Sequence, residues 1–289
     1  MSKPAIIGLA GPALLPEEAA LLRRHRPKGI ILFTRNIRNN TQLAGLIDSI
    51  RQELPADGLL MVDQEGGRVA RLKPPCWPEL PPAGTLKTEQ AALAHGVALG
   101  RMCREAGFDV ITAPVLDLAW PGGSDVIGDR AISGDPEIVA RLGGKIAEGI
   151  LAQGAIPVMK HLPGHGRAQV DSHFALPRVA APMAELQADF HPFIANRGLP
   201  WAMTAHVLYT GLDPENPATV SPAIIGDVIR GVIGFKGILV SDDLAMGALR
   251  GSPAERALAA LAAGCDLALY CPGDLAGNRA VLEAVADAG

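Results

Sequence analysis

The 289-residue chain has few of the features that would assign it quickly to a class. Its four cysteines, Cys76, Cys103, Cys265 and Cys271, form no CxxC pair, which excludes a zinc ribbon and a thioredoxin-type motif. Their scatter reads as reduced thiols of a cytoplasmic protein. No GxGxxG or GxxxxGK loop follows an early strand, and neither HExxH nor HxH occurs. Charge of one sign is not in excess. The net charge is -4 with both signs interspersed, so neither nucleic acid nor an anionic membrane is an expected partner. No apolar run approaches the ~20 residues of a membrane span. The N-terminal apolar run is broken at Gly11-Pro12 and acidic residues follow, so it is not expected to act as a signal peptide.

What the chain does have is alternation. Eight apolar runs read as strands: AIIGLAG from Ala5, GIILFT from Gly29, LLMVD from Leu59, DVITAPV from Asp109, IPVMKH from Ile156, AMTAHV from Ala202, GILVSD from Gly237 and DLALYC from Asp266. Most are continuous rather than alternating, as in parallel strands buried on both faces. Helical segments fill the gaps. Asp135-Pro136, Ser221-Pro222 and Ser252-Pro253 each put a capping side chain ahead of a proline, and Gly154, Gly198 and Gly264 stand where helices should stop. These features predict one α/β domain over residues 1–289, a (β/α)₈ TIM-type barrel, with a doubly wound open sheet as the alternative.

In such barrels the working face lies at the C-terminal ends of the strands. There the runs turn polar, at Arg35-Asn36, Asp63, Asp117, Lys160-His161, His206 and Asp242-Asp243. Two long connections follow strand ends: the proline-rich segment 71–86, expected to be stiff, and the Gly/Asp-rich segment 119–136.

The segment KHLPGHGRAQVDSHFALP, 160–177, holds three of the seven histidines. His161 and His165 have zinc-ligand spacing, but Pro163 and Gly164 separate them, so a turn is the plainer reading. Asp171-Ser172-His173 places a carboxylate two residues from an imidazole. Such a bond would fix the tautomer and raise the imidazole pKa, suiting it to give and later take a proton. Asp242, at the end of an apolar run, could supply a nucleophile, a metal ligand or a helix cap. On a strand it and Asp243 would face opposite ways.

These residues also resemble a family. KHLPGHGRAQVDSH is similar to the KH-x-PGHG-x(4)-DSH signature of bacterial β-N-acetylglucosaminidases of glycoside hydrolase family 3, and ILVSDDLAM to that family's nucleophile segment. VDQEGGRVARL, IGDRAISGDP, APVLDL, MTAHVLY and GIILFTRN resemble further family segments in the same order, from about Gly8 to Cys271. The resemblance implies a cytoplasmic, single-domain, monomeric hydrolase with no cofactor and no metal. Its substrate would be a small sugar molecule, a muropeptide of peptidoglycan recycling. Carried over by position, Asp242 would be the nucleophile and His173 the general acid/base with Asp171 as dyad partner. Asp63, Arg71, Arg130, Lys160 and His161 would hold the terminal sugar. Asp117, Asp129 and Asp243 could equally be structural, and His206 could be a sugar contact or a satisfied core histidine. Leu162 replaces a common phenylalanine. Aromatics are only 4% of the chain, so long stacking subsites are not expected, which favours removal of one terminal sugar over grip on a polymer. Other readings are a β-glucosidase or xylosidase of the same family, a metal-dependent hydrolase and a sugar-binding protein.

Overall fold

The structure, a computed structural model, describes residues 2–172 and 175–285. All eight expected strands form. They are β1 (Lys3–Gly8), β2 (Pro27–Leu32), β3 (Leu59–Val62), β4 (Val110–Ile111), β5 (Ile156–Leu162), β7 (Trp201–Thr204), β9 (Ile238–Val240) and β10 (Ala268–Tyr270). Their spatial order is β10-β1-β2-β3-β4-β5-β7-β9, every pair parallel. A parallel bridge between Val240 and Leu267 closes the ring, and Ser241 N–H extends it to the Leu267 carbonyl at 3.0 Å. The chain is a single-domain (β/α)₈ barrel, not an open sheet.

Burial on both faces explains the continuous apolar runs. On β1, Ile6 packs inside the barrel with Ile31, Met61, Val110, Val158 and Met203. Its neighbours Ala5 and Ile7 face outward against the helices. The buried residues of β1 therefore meet an apolar layer whichever way their side chains point.

The helices are α1 (Pro16–His25), α2 (Asn40–Glu53), α3 (Glu89–Glu105), α4 (Pro136–Ala152), α5 (Met183–Ala195), a π-helix (Ile224–Val232), α6 (Pro253–Ala263) and α7 (Leu275–Ala284). The predicted caps are in place. Asp135 accepts from Glu137 N–H at 2.9 Å, Ser221 Oγ from Ile224 N–H at 3.0 Å, and Ser252 and Glu255 cap each other's backbone. Gly264 ends α6 at φ 114°, a conformation costly for any other residue.

Two features differ from the sequence reading. The fourth run shortens to Val110–Ile111, because the chain turns where Ala113 N–H bonds the Ile111 carbonyl and Pro114 has no N–H to give the ladder. It rejoins β5 at Val115, which bridges Lys160. A small parallel pair, β6 (Arg178–Val179) and β8 (Leu208–Tyr209), also lies outside the barrel and ties the segment after β5 to the one after β7. Runs of two residues carry too little pattern to be read.

Helices α3 and α4 approach closely through glycine. A Cβ on Gly96 would stand 2.1 Å from the Ile146 carbonyl oxygen, and one on Gly149 2.5 Å from Leu93 O and Val97 N. Backbone cannot yield as a flexible side chain can. Gly149→Ala is therefore expected to lose about 2 kcal/mol of stability through overpacking, despite alanine's better helix propensity. Urea denaturation would check the sign; an unchanged or raised midpoint contradicts the close packing.

Candidate active site

The C-terminal ends of β2, β3, β5, β7, β9 and β10, with the segment 126–130 that follows β4, surround a cavity of about 170 Å³. Lys160, near the end of β5, is 3% exposed. Its ammonium lies 2.6 Å from Glu65 Oε1 and 3.6 Å from Asp63 Oδ1, and donates to Thr112 Oγ1 at 2.9 Å. Thr112 in turn donates to Asp63. Arg71 holds the other Asp63 oxygen at 2.9 Å, and Arg130 grips Glu65 with two bonds of 2.8 Å. Burial alone would raise both carboxyl pKa values. The facing cations reverse this, holding Asp63 well below the usual carboxylate range and Glu65 at about 2.

A second cluster forms around Asp117, which is 1% exposed. It accepts from His161 Nδ1 at 2.6 Å, from His161 N–H at 3.2 Å and from His165 N–H at 2.6 Å. An ionised carboxylate can only accept, so His161 carries a proton on Nδ1. His161 is thus fixed in both orientation and tautomer as it lines the cavity. His165 lines the cavity as well. Burial and the neighbouring His161 push its pKa down to about 4, so it is neutral at pH 7. Its Nδ1 is buried with no hydrogen-bond partner among the described residues, and its Nε2 is 3.4 Å from Ser172 Oγ. The stretch forms the expected turn, and His165 sits in it with its backbone N–H held by Asp117 and its ring against Ser172 Oγ rather than on loop backbone.

Asp242 follows β9 and faces the same cavity as Asp63, Lys160 and His161. Its Oδ1 accepts from Asp243 N–H at 2.8 Å, and no hydrogen bond among the described residues takes its Oδ2. Burial opposes its charge, yet nearby His206, His161 and Lys160 bring its pKa below the ordinary value. The expected opposition of Asp242 and Asp243 is not seen: both line the cavity. The strand ends at Val240, so its alternation no longer governs them. Asp243 braces the rim, its Oδ1 accepting from Ala245 and Cys271 N–H at 3.0 Å each.

The cavity therefore gathers Asp63, Arg71, Arg130, Lys160, His161 and Asp242, named from sequence alone. His173 lies outside the described residues, and the expected pairing with Asp171 lies outside them with it. His206 is a satisfied core histidine, bonded to Thr219 Oγ1 at 2.7 Å and to the Asp243 carbonyl at 2.9 Å. Arg35 and Asn36 turn to the Leu9 carbonyl and serve the backbone, and Asp129 pairs with Arg68 at the rim. Sequence reading missed Glu65 and Thr112. Glu65 had a legible signal: it stands two residues beyond Asp63, and two buried cations need more than one carboxylate.

The glycosyl hydrolase family 3 N-terminal domain model matches residues 10–289. A β-hexosaminidase of Alkalilimnicola ehrlichii is 42% identical over 93% of this chain and 80% of its own length. The family 3 β-N-acetylglucosaminidase of Paenibacillus sp. superposes with a TM-score of 0.92 at 32% identity, over 99% of this chain, which spans only 56% of that one. NagZ of Neisseria gonorrhoeae, in complex with N-trifluoroacetyl-D-glucosamine, matches with a TM-score of 0.88 at 34% identity, over 98% of this chain and 88% of its own. The chain belongs to glycosyl hydrolase family 3. It is a glycoside hydrolase of the β-hexosaminidase type.

The Glu65 cluster has a pH signature. Glu65 falls from its ordinary 4.5 to about 2 on folding, so its contribution is complete above about pH 5 and is lost as pH falls toward 2. Glu65→Gln, which strands part of the charge on Lys160 and Arg130, is expected to cost about 3 kcal/mol at pH 7. It should also flatten the loss of stability between those limits. Denaturation at several pH values would test this; a variant curve parallel to wild type contradicts it.

Proposed function

We propose that the protein is a retaining β-N-acetylglucosaminidase that removes terminal non-reducing N-acetylglucosamine from muropeptides, GlcNAc-1,6-anhydro-MurNAc peptides, in the cytoplasm. The observation that carries this reading is the ionised Asp242 carboxylate, one oxygen braced and the other unengaged among the described residues, facing the cavity that Asp63, Lys160 and His161 line.

The chemistry follows from the charges. Asp63 lies under the combined pull of Lys160 and Arg71, so it stays an anion and accepts hydrogen bonds from sugar hydroxyls. Lys160, Arg71, Arg130 and His161 supply donors and an oriented ring for the remaining hydroxyls. A neutral sugar suits this mixture, because Asp63 and Asp242 would repel an anion at the same place. Asp242 attacks the anomeric carbon through an oxocarbenium-like transition state and forms a glycosyl-aspartate. His173, paired with Asp171, protonates the leaving oxygen, then takes a proton from the water that releases the sugar, so configuration is retained. Most retaining enzymes use two carboxylates, so the histidine is a departure within the scheme. Histidine without negative charge also repels an anionic acceptor less than a carboxylate does. An acceptor assay at high phosphate would detect sugar phosphate if phosphate competes with water.

The test uses a nitrophenyl β-N-acetylglucosaminide with chelator present. Wild type is expected to release nitrophenol with retained configuration at the anomeric carbon, read by proton NMR. Asp242→Ala should lose about 10³-fold or more in kcat. His173→Ala should harm a natural disaccharide far more than the nitrophenyl glycoside, whose leaving group needs little protonation. Full activity of Asp242→Ala would overturn the assignment.

A further inference from the structure

His95 is a buried titratable group that the chemistry above does not use. It stands on the buried face of α3 with Ala92, Leu99 and Met102, and it is 5% exposed. An imidazole so far from water needs a partner, because an unpaired polar group there is costly. Its Nε2 lies 2.9 Å from the Glu65 carbonyl oxygen. A carbonyl only accepts, so Nε2 carries the proton. Burial lowers the pKa of the ring, which keeps it neutral at pH 7.

The bond falls where the backbone turns. Beyond β3, the N–H groups of Glu65 and Gly66 both reach the Val69 carbonyl, at 2.9 and 3.2 Å, and Gly66 and Gly67 hold φ of 102° and 55°. Such conformations favour glycine. A Cβ on Gly66 would stand 3.0 Å from His95 Cε1, so the ring packs on the turn as well as bonding it. Among the described residues no other donor reaches the Glu65 carbonyl. The peptide plane between Glu65 and Gly66 is thus held from the helical layer, and with it the direction in which the Glu65 side chain leaves the backbone. That direction matters, because the Glu65 carboxylate meets Lys160 at 2.6 Å and grips Arg130 with two bonds of 2.8 Å. His95, Glu65 and Arg130 also border one space of only about 10 Å³, which leaves little slack between them.

We infer that His95 is a positioning residue for the sugar cavity: its bond to the Glu65 carbonyl fixes the carboxylate that sets Lys160 and Arg130 in place. The inference rests on the functional reading above, in which those two cations hold the sugar. His95 touches no substrate and acts through Glu65. Contacts made equally in the bound ground state and the transition state govern KM and leave kcat unchanged. Misplacing two sugar donors therefore shows in KM.

The experiment follows nitrophenol release from a nitrophenyl β-N-acetylglucosaminide, with N-acetylglucosamine as a competing ligand. His95→Gln keeps an N–H where Nε2 stands, His95→Asn is too short to reach the carbonyl, and His95→Leu has no proton to give. His95→Asn and His95→Leu are each expected to raise KM about tenfold with kcat within about threefold, and to raise the inhibition constant of N-acetylglucosamine in parallel. His95→Gln should stay within about twofold of wild type in both constants, since its amide donates the same bond. The inference is overturned if the glutamine variant is as impaired as the other two, if kcat falls as far as KM rises, or if neither loss variant changes KM. It is also overturned if His95→Asn and His95→Leu fail to fold while His95→Gln folds, because the bond would then serve stability alone. In all these cases wild type still cleaves and the functional reading stands. If wild type releases no nitrophenol, the functional reading fails and takes this inference with it.

Discussion

A buried ammonium organises the mouth of this barrel. Lys160 is almost wholly removed from water, and an isolated charge there would cost several kcal/mol. Standing on β5, it draws its partners from two neighbouring strands: Asp63 and Glu65 from the end of β3, and Thr112 from just beyond β4. The parallel register brings those ends level, and the charges then hold them there. Arg71 and Arg130 come from the long connections after β3 and β4 and close on the same two carboxylates. The ion cluster therefore joins the scaffold to its loops as well as lining the site.

Asp117 does comparable work for the histidines. One carboxylate binds the ring and backbone of His161 and the backbone of His165, so the turn through Pro163 and Gly164 is folded around it. The two clusters meet at adjacent residues of β5, Lys160 and His161. Small displacements of that strand would disturb both the charge balance around Asp63 and the orientation of the imidazole. The apolar barrel interior beneath, packed from Ile6, Met61, Val158 and Met203, gives the strand its fixed height.

Two cavities open on the rim, and they differ in the charges that line them. The inner one is a balanced mixture of charges suited to hydroxyl groups, and it contains the carboxylate proposed to attack. The outer one is lined by Arg178, Arg250 and Arg256 together with Glu215. Segment 246–248 lies between them; Arg256 holds the Leu244 and Met246 carbonyls, and Ala248 N–H bonds the Ser172 carbonyl.

Much of this architecture was legible in the chain. Continuous apolar runs separated by capped helices dictate parallel strands buried on two faces, and the burial of Ala5, Ile6 and Ile7 on opposite sides of β1 shows why. The polar residues ending those runs located the working face, because local pattern sets where a strand stops. Which of those residues cooperate was not legible. Arg35 and His206 have the same sequence context as Asp63 and Lys160, yet they turn to backbone carbonyls and a threonine. Glu65 joins Lys160 across ninety-five residues of chain, and Asp243 shares the cavity with Asp242 because the strand ends before alternation can part them. Sequence alone determined the barrel and the face on which chemistry can occur, since both follow from short-range patterns of burial and capping. Only the tertiary structure decided the partners of each charge, since an ion pair is set by distance in space, and the register of neighbouring strands supplies that distance.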